Sequence, residues 1–232
     1  MSWRCFWKNI VKWKKYWRIE QSKNKRQIKM TEIIKDLVTE KTVNGIKIPK
    51  RPKIKQGAFQ IYTGEGKGKS TASLGLMLRA LGSGMHVYYV RMLKPRWKTG
   101  ELKLCPENFH PNLTFRNVPH YWALCVSKTI PEDVETMKEK MEPEMEDLHE
   151  QVKSGKYDLI IADEINYCIY RGLLSVEKAI QIVEDRPKNV ELVFTGRYAH
   201  EKLVERADLV TEMKKIKHHF DKGIRARIGI EF

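Results

Sequence analysis

A glycine-rich segment, residues 64–71, carries the residue types that bind a phosphate group. Its sequence is Gly64-Glu65-Gly66-Lys67-Gly68-Lys69-Ser70-Thr71. Glycines let the backbone curl so that successive N–H groups point toward an anion, lysines add positive charge, and a serine hydroxyl is a ligand for Mg²⁺. The phosphate-loop (P-loop) pattern G-x-x-x-x-G-K-[ST] ends correctly on Gly68-Lys69-Ser70, but it requires glycine at position 63 and finds Thr63.

The elements on either side of this segment decide between a phosphate site and a surface turn rich in glycine and lysine. Phe59-Gln60-Ile61-Tyr62 is a short β-prone run and predicts a strand, whereas residues 72–81 predict a helix. The N-terminus of a helix adds partial positive charge where the glycines end. Strand, glycine loop and helix together favour the phosphate site.

Two adjacent carboxylates follow a second apolar run. Residues 157–162 predict a short strand buried on both faces, and Asp163 and Glu164 stand at its carboxyl end. Open α/β sheets bind ligands at that edge, and the corresponding strand of phosphate-loop proteins supplies an aspartate to the Mg²⁺ of the nucleotide. The two residues are therefore candidate metal ligands, and a solvated acidic pair is the alternative.

The remaining elements alternate between strands and helices, which is typical of a parallel sheet covered on both faces. Strands are predicted at 86–92, 113–115, 190–197, 207–213 and 224–232, and helices at 31–37, 131–153, 175–185 and 200–206. Residues 94–112 are predicted to be a loop. Arg197 ends one strand, as the two carboxylates end another. The predicted fold is α/β and P-loop NTPase-like, with a mainly parallel sheet and helices on both faces.

A stripe of apolar residues runs along the predicted helix at 131–153. Its members follow one another at spacings of three or four: Met137, Met141, Met145, Leu148 and Val152. One face of a helix recurs at this spacing, so the stripe is interpreted as core and not as a metal or cofactor site. Pro143 is predicted to kink the helix.

The formal net charge of +15 is concentrated at the N-terminus. Residues 1–57 contain 17 Lys and Arg against four Asp and Glu, whereas the remaining 175 residues contain 27 against 25. The body of the chain therefore lacks the basic surface that nucleic-acid binding requires. Four scattered cysteines with no C-x-x-C pair fit the reducing cytoplasm. No apolar run approaches the roughly 20 residues needed to span a bilayer.

Two parts of the chain are predicted. Residues 1–56 form a basic extension that ends in a proline- and lysine-rich linker at 47–55, and residues 57–232 form the folded domain. Four tryptophans among the first 17 residues alternate with basic residues, which is compatible with an amphipathic helix on an acidic membrane surface. A disordered tail, or a true start at Met30, is favoured because nothing later in the chain needs a membrane.

Further motifs follow the phosphate loop in a characteristic order. They are Arg79-Ala80, Asp163-Glu164, Arg186-Pro187, Thr195-Gly196-Arg197, Ala207-Asp208, Thr211-Glu212-Met213, Lys217-His218, Phe220, Gly223 and Gly229-Ile230-Glu231-Phe232. With these motifs the chain resembles, over about residues 57–232, the corrinoid adenosyltransferases of the P-loop type (ATP:cob(I)alamin adenosyltransferases). A glycine at position 64 in place of 63 is the form that this family uses.

The resemblance implies that the 5′-deoxyadenosyl group of ATP is transferred to the Co(I) of cob(I)alamin or a related corrinoid, and that triphosphate leaves whole. Lys69 and Arg197 would be the catalytic groups. Ser70 and Glu164 would hold Mg²⁺ or Mn²⁺, with Asp163 as a further ligand or directly behind it. ATP binding is assigned to Gly64, Glu65, Gly66, Lys67, Gly68, Lys69, Ser70, Thr71, Arg79 and Arg197. The nucleotide would lie in the reverse of the usual P-loop orientation.

The resemblance also implies a corrin contact made by an aromatic pair. The nearest match to the family's Phe-x-Trp pattern is His120-Tyr121-Trp122, so Tyr121 and Trp122 are candidates for that contact, with a place in the core as the alternative. The segment before the loop, residues 31–55, would fold over the active site. A homodimer is implied, a flavoprotein reductant is a candidate partner, and neither nucleic acid nor a membrane is expected.

Two rival functions share these features. An ordinary P-loop kinase or ATPase would use the same loop and the same Asp163-Glu164 strand, but it would release ADP or phosphate. A non-enzymatic module that binds nucleotide and uses its basic tail on nucleic acid or membrane is the other alternative. The near-neutral body of the chain argues against the second.

Overall fold

The computed structural model describes residues 41–43, 45–95, 99–104, 110–120 and 134–231. Within these ranges it contains a two-stranded hairpin and a six-stranded sheet. The hairpin pairs β1 (Lys41–Val43) with β2 (Ile46–Ile48) in antiparallel fashion. The strands of the large sheet are β3 (Phe59–Thr63), β4 (Val87–Pro95), β5 (Leu113–His120), β6 (Leu159–Asp163), β7 (Glu191–Thr195) and β8 (Leu209–Glu212).

The large sheet has the order β5-β4-β6-β7-β3-β8, and every neighbouring pair is parallel. Because all six strands run the same way, their carboxyl ends share one edge of the sheet. The strands β6, β7 and β3 are neighbours, so the carboxylates after β6, the turn after β7 and the loop after β3 come side by side. The predicted α/β, P-loop NTPase-like fold is confirmed.

Helices cover both faces of this sheet, as predicted. They are α1 (Lys69–Gly82), α2 (Gly100–Leu104), α3 (Val134–Lys153), α4 (Ile165–Tyr170), α5 (Val176–Glu184) and α6 (Glu201–Val204), followed by a 3-10 helix at His219–Lys222. On one face, α1 buries Met77 and Leu81 against the sheet. On the other face, α3, α4 and α5 contribute to a separate, larger core. All five residues of β6 are buried between the two cores, which explains its uninterrupted apolar sequence.

The apolar stripe of α3 lies in the larger core, as predicted. Met137, Met141, Met145, Leu148 and Val152 are all buried. The helix continues through Pro143, and it buries the stripe in the core while the residues between are exposed or half-buried. The hydrophobic spacing, and not the methionine chemistry, therefore explains this segment.

Met141→Ala is expected to lower the free energy of unfolding by about 2–5 kcal/mol, because the side chain is fully buried and its removal leaves a cavity. Glu139→Ala, on the exposed side of the same helix, is the matched control and should change stability by less than about 0.5 kcal/mol. Chemical denaturation of the two variants checks this. Equal stability of both would contradict the assignment of the stripe to the core.

The segment between β4 and β5 is more regular than predicted. β4 extends to Pro95, α2 occupies 100–104 within the predicted loop, and β5 runs to His120, five residues beyond the predicted end. β5 pairs with β4 from Leu113 as far as His120, with one irregularity between Arg91 and Lys94. β5 is longer than predicted because its backbone pairs with β4, and local side-chain preference does not predict such pairing.

The predicted final strand at 224–232 is wrong. Residues 224–227 have no regular secondary structure, residues 228–231 form a turn, and Ile228 and Ile230 are exposed. Gly229 has a φ of 78°, and the Arg227 backbone N–H donates to the Glu231 carboxylate at 2.8 Å. A local turn therefore satisfies the polar groups here, so the alternating apolar residues do not mark a sheet face.

The predicted linker contacts the domain at the edge opposite the phosphate loop. The Arg51 Nε donates to the Asp158 carboxylate at 2.8 Å, and that carboxylate also accepts from the His86 backbone N–H at 2.8 Å. Asp158 precedes β6 and His86 precedes β4, so this contact lies at the amino-terminal edge of the sheet. The cap over the active site by residues 31–55 stays a prediction, and the predicted helix at 31–37 lies outside the described residues.

Candidate active site

The glycine loop connects β3 to α1 and packs tightly against the chain after β8. The φ angles of Gly64 and Gly68 are 95° and 131°, which L side chains rarely adopt. A Cβ on Gly66 would lie 2.6 Å from the Met213 carbonyl oxygen, and the Gly66 N–H donates to that oxygen at 2.6 Å. The Met213 N–H in turn donates to the Thr63 carbonyl at 2.9 Å. The glycines are therefore required by the contact with Met213 as well as by the curl of the loop.

Lys69 begins α1 and is buried with its ammonium inside the loop. Only 8% of the residue is exposed. Its Nζ donates to the carbonyl oxygens of Gly64 at 2.5 Å and Gly66 at 2.8 Å. The loop thus curls around a positive charge, and that charge lies at the N-terminus of a 14-residue helix. Both features favour an anion at this position.

Ser70, Asp163 and Thr195 meet at the carboxyl edge of the sheet. The Ser70 Oγ donates to Asp163 Oδ1 at 3.0 Å, and the Thr195 Oγ1 donates to the same oxygen at 2.5 Å. Asp163 is 1% exposed. Three separate elements (α1, β6 and β7) therefore place these oxygen atoms within one site, which the sequence predicted for Ser70 and Asp163 but not for Thr195.

Glu164 follows Asp163 in a left-handed backbone conformation, with a φ of 70°. Its backbone N–H donates to the Thr195 Oγ1 at 3.0 Å, which fixes the turn from β6 into α4. Glu164 is intermediate in exposure, whereas Asp163 is buried. The two neighbouring carboxylates therefore differ in access to solvent.

A polar chain beneath the loop supports Ser70 from the sheet. The Ser73 Oγ donates to the Ser70 carbonyl at 2.9 Å and lies 2.8 Å from the Tyr89 hydroxyl. Since the single hydroxyl proton of Ser73 is used, Tyr89 is the donor to Ser73. Burial raises the pKa of Tyr89 well above its usual value, and the Asp163 carboxylate adds to the rise, so the tyrosine keeps its proton. Sequence analysis missed Ser73 and Tyr89 because neither belongs to a local motif.

Lys67 points away from Lys69 and toward the C-terminal segment. Its Nζ lies 3.7 Å from a Glu231 carboxylate oxygen, and the Lys67 side chain is 42% exposed. Hydrogen bonds from Arg227 lower the pKa of Glu231 to about 2. The loop therefore carries one buried lysine and one lysine at its surface, and Glu231 balances the surface charge.

Some of the other predicted site residues lie beside the loop, and others do not. Arg197 follows β7 and is exposed beside the site, and Glu65 accepts from the Tyr198 hydroxyl at 3.3 Å. Thr71 is exposed on the first turn of α1.

Arg79 lies in the last turn of α1. It is about 14 Å from Ser70 along the helix axis, given a rise of 1.5 Å per residue. The fold does not bring Arg79 to the loop, and its role stays a prediction. Tyr121 and Trp122 lie outside the described residues.

The donor set fits a hard divalent cation. Ser70 and Asp163 offer a hydroxyl and a carboxylate within one hydrogen bond of each other, with Glu164 adjacent. The described residues contain no cluster of three or more His, Cys, Asp or Glu side chains suited to a metal. Mg²⁺ in nucleotide sites does not need such a cluster, since it is held by one or two protein ligands together with substrate phosphates and water.

None of the helices in the described part of the chain is long and apolar enough to cross a bilayer.

The parallel sheet, the glycine loop around Lys69 and the Ser70–Asp163 contact are features of a P-loop NTPase-like fold. The model of the family ATP:corrinoid adenosyltransferase BtuR/CobO/CobP matches residues 55–232. The chain belongs to this family. It is an enzyme of the corrinoid adenosyltransferase type, as the sequence motifs predicted.

Curated relatives agree with this assignment. A corrinoid adenosyltransferase from a Sinorhizobium species is 34% identical over 178 residues, which is 76% of this chain and 81% of the relative. One from Pseudomonas aeruginosa is 33% identical over 181 residues, covering 76% and 84%. One from Escherichia coli K12 is 29% identical over 177 residues, covering 76% and 86%. The matches are to proteins of which this chain spans most of the length.

Proposed function

We propose that the protein transfers the 5′-deoxyadenosyl group of ATP to the Co(I) of a corrinoid and releases triphosphate. The observation that carries the proposal is the loop enclosing Lys69 beside the Ser70–Asp163 contact, in a chain that belongs to this family. In this reaction an electron pair of Co(I) forms a bond to C5′ of the ribose. The bond between C5′ and the triphosphate oxygen breaks, and the triphosphate leaves with the bonding electrons.

The residues of the site suit this chemistry. Co(I) is itself a strong nucleophile, so no protein base is required, and none is assigned. The task for the protein is to hold C5′ in line with cobalt and to stabilise the charge that develops on the triphosphate. Loop N–H groups, the ammonium of Lys69 and the guanidinium of Arg197 supply that stabilisation. Both side chains are acting as electrostatic catalysts, and neither transfers a proton.

A divalent cation is part of the proposal. Mg²⁺, or Mn²⁺ in its place, would be held by Ser70 and Glu164, with Asp163 as a further ligand or as the acceptor that orients the Ser70 hydroxyl. When bound, the cation neutralises charge on the phosphates. Asp163 already accepts hydrogen bonds from Ser70 and Thr195, so the protein holds the hydroxyl in place before a cation arrives.

The boundaries and partners follow from the same proposal. Residues 57–232 would form the adenosyltransferase domain, with residues 1–56 as its extension, and the family match from residue 55 supports that division. Tyr121 and Trp122 are proposed to contact the corrin. A homodimer and a flavoprotein reductant are the proposed protein partners.

One anaerobic assay tests the proposed reaction. The full chain is incubated with ATP, Mg²⁺ and chemically reduced cobalamin, and the corrin spectrum and the phosphate products are followed together. We expect a light-sensitive adenosylated corrinoid and equimolar triphosphate. Release of ADP or orthophosphate without an adenosylated product would instead support the kinase or ATPase alternative. Omission of the divalent cation is expected to slow the reaction.

A further inference from the structure

Three tyrosines and an arginine form a cluster beside the phosphate loop, hereafter the tyrosine cluster: Tyr167, Tyr170, Arg171 and Tyr198. The ring centroids of Tyr170 and Tyr198 are 4.3 Å apart with a tilt of 36°. Tyr167 lies behind this pair, 6.1 Å from Tyr170 and 6.3 Å from Tyr198. Arg171 donates to the Tyr167 hydroxyl at 3.2 Å and its guanidinium lies 5.8 Å from the same ring. Tyr167 and Arg171 thus brace the other two rings.

The front pair of the tyrosine cluster is open to solvent. Tyr170 is 59% exposed and Tyr198 is 42% exposed, so each ring has a free surface even though the rings touch. A tyrosine this exposed contributes little to the core. The two rings stack on each other, and each has an outer face that is open to solvent and that core packing does not explain.

The position of this surface ties it to the nucleotide site. The Tyr198 hydroxyl donates to the Glu65 carboxylate at 3.3 Å, and Glu65 is the second residue of the glycine loop. Tyr198 also keeps a φ of 58°, a conformation that glycine adopts with less strain. A Cβ on Gly196 would come within 2.8 Å of the Tyr167 backbone nitrogen, so the turn that carries Tyr198 packs directly on α4. The Tyr198 ring is therefore held next to the loop by its hydrogen bond to Glu65 and by the packing of its turn on α4, and Tyr170 stacks on it.

We propose that the outer face of Tyr170, which is stacked on Tyr198, binds the adenine ring of ATP while the loop holds the triphosphate. The proposal rests on the proposed function, which makes ATP the substrate. A purine is flat and stacks on aromatic side chains, and such stacking does not depend on its hydrogen-bonding edge. Both rings lie beside the loop, at the edge of the sheet where the nucleotide binds. The cluster would thus fix the adenosine end of the substrate independently of the phosphates.

The test compares ATP with inorganic tripolyphosphate, each with Mg²⁺, by calorimetric titration of the full chain. Tyr170→Ala should weaken ATP binding about tenfold, the order expected for loss of one base–aromatic stack, and leave tripolyphosphate binding unchanged. Tyr170→Phe and Tyr198→Phe keep both rings and should bind ATP within about twofold of the wild type. Leu78→Ala removes an equally exposed apolar side chain (62%) from α1 and serves as the matched control.

Two results would overturn the proposal. If Tyr170→Ala binds ATP as tightly as the wild type, the rings serve another partner, such as a protein. If it loses affinity for ATP and tripolyphosphate equally, the substitution has disturbed the loop. The proposed function has its own test. Wild-type protein that binds ATP but makes no adenosylated corrinoid would refute the proposed reaction, whereas the adenine assignment would still be decided by the titrations.

Discussion

Lys69→Ala is expected to lower the rate of the proposed adenosyl transfer by about 10²–10³-fold, which is the usual effect of removing one preorganised electrostatic contact from a transition state. The reason is geometric. The Lys69 ammonium is buried within the loop, where a developing negative charge on the triphosphate is poorly screened by water. The rate of triphosphate release under saturating ATP and reduced corrinoid measures the effect.

Lys67→Ala is the matched comparison, because Lys67 is a loop lysine whose charge is exposed and paired with Glu231. Its effect on the rate should stay below about tenfold, since solvent screens an exposed charge. Thermal unfolding without nucleotide shows whether either variant has simply lost its fold. A Lys69→Ala enzyme with a third or more of the wild-type rate would contradict the assignment of the site.

Gly66→Ala is expected to destabilise the protein by about 1–3 kcal/mol and to abolish high-affinity ATP binding, because the new methyl group has no space. It would lie 2.6 Å from the Met213 carbonyl and 2.8 Å from the Lys214 carbonyl, both of which are backbone atoms. The loop must move away from Met213 to accept it. That movement removes the Gly66 N–H···Met213 hydrogen bond and changes the cradle that holds the phosphates.

Gly75→Ala controls for the substitution itself. Gly75 lies in α1, and a Cβ there meets nothing within 4 Å. Alanine in the interior of a helix is favoured over glycine, so this variant should be more stable by about 0.5–1 kcal/mol and should bind ATP normally. Denaturant unfolding and ATP titration of both variants check the pair. Normal ATP affinity in Gly66→Ala would show that the loop does not depend on its contact with Met213.

Local sequence predicted the parts of the site that are contiguous in the chain. Residues 59–82 fold as the strand, loop and helix that their glycines and apolar residues indicated, and β6 ends in Asp163 as expected. Ser70 and Asp163 were predicted as ligands of one metal site, and the fold brings these two residues from distant segments into hydrogen-bond contact. The Met141 stripe was predictable because helical spacing alone identifies a buried face.

Contacts between distant segments without a shared pattern were not predictable. Thr195 bonds to Asp163 because β7 lies next to β6, and Tyr89 supports Ser73 because β4 crosses beneath α1. The length of β5 depended on pairing with β4, and the expected strand at 224–232 was replaced by a turn held by Arg227 and Glu231. In each case the deciding interaction joins side chains or backbones whose proximity exists only in the folded sheet.

By itself the sequence determined that the protein has a glycine-rich loop between a strand and a helix, a buried strand that ends at two carboxylates, and the motifs of an adenosyltransferase family, since these features lie in short segments. The tertiary structure alone decided that Met213 packs against Gly66 and that Lys69 is buried inside the loop. It also decided that Tyr198 bonds to Glu65 while Tyr170 stacks on Tyr198. The physical reason is that strand order sets which chain ends become neighbours, and strand order comes from the packing of the whole sheet.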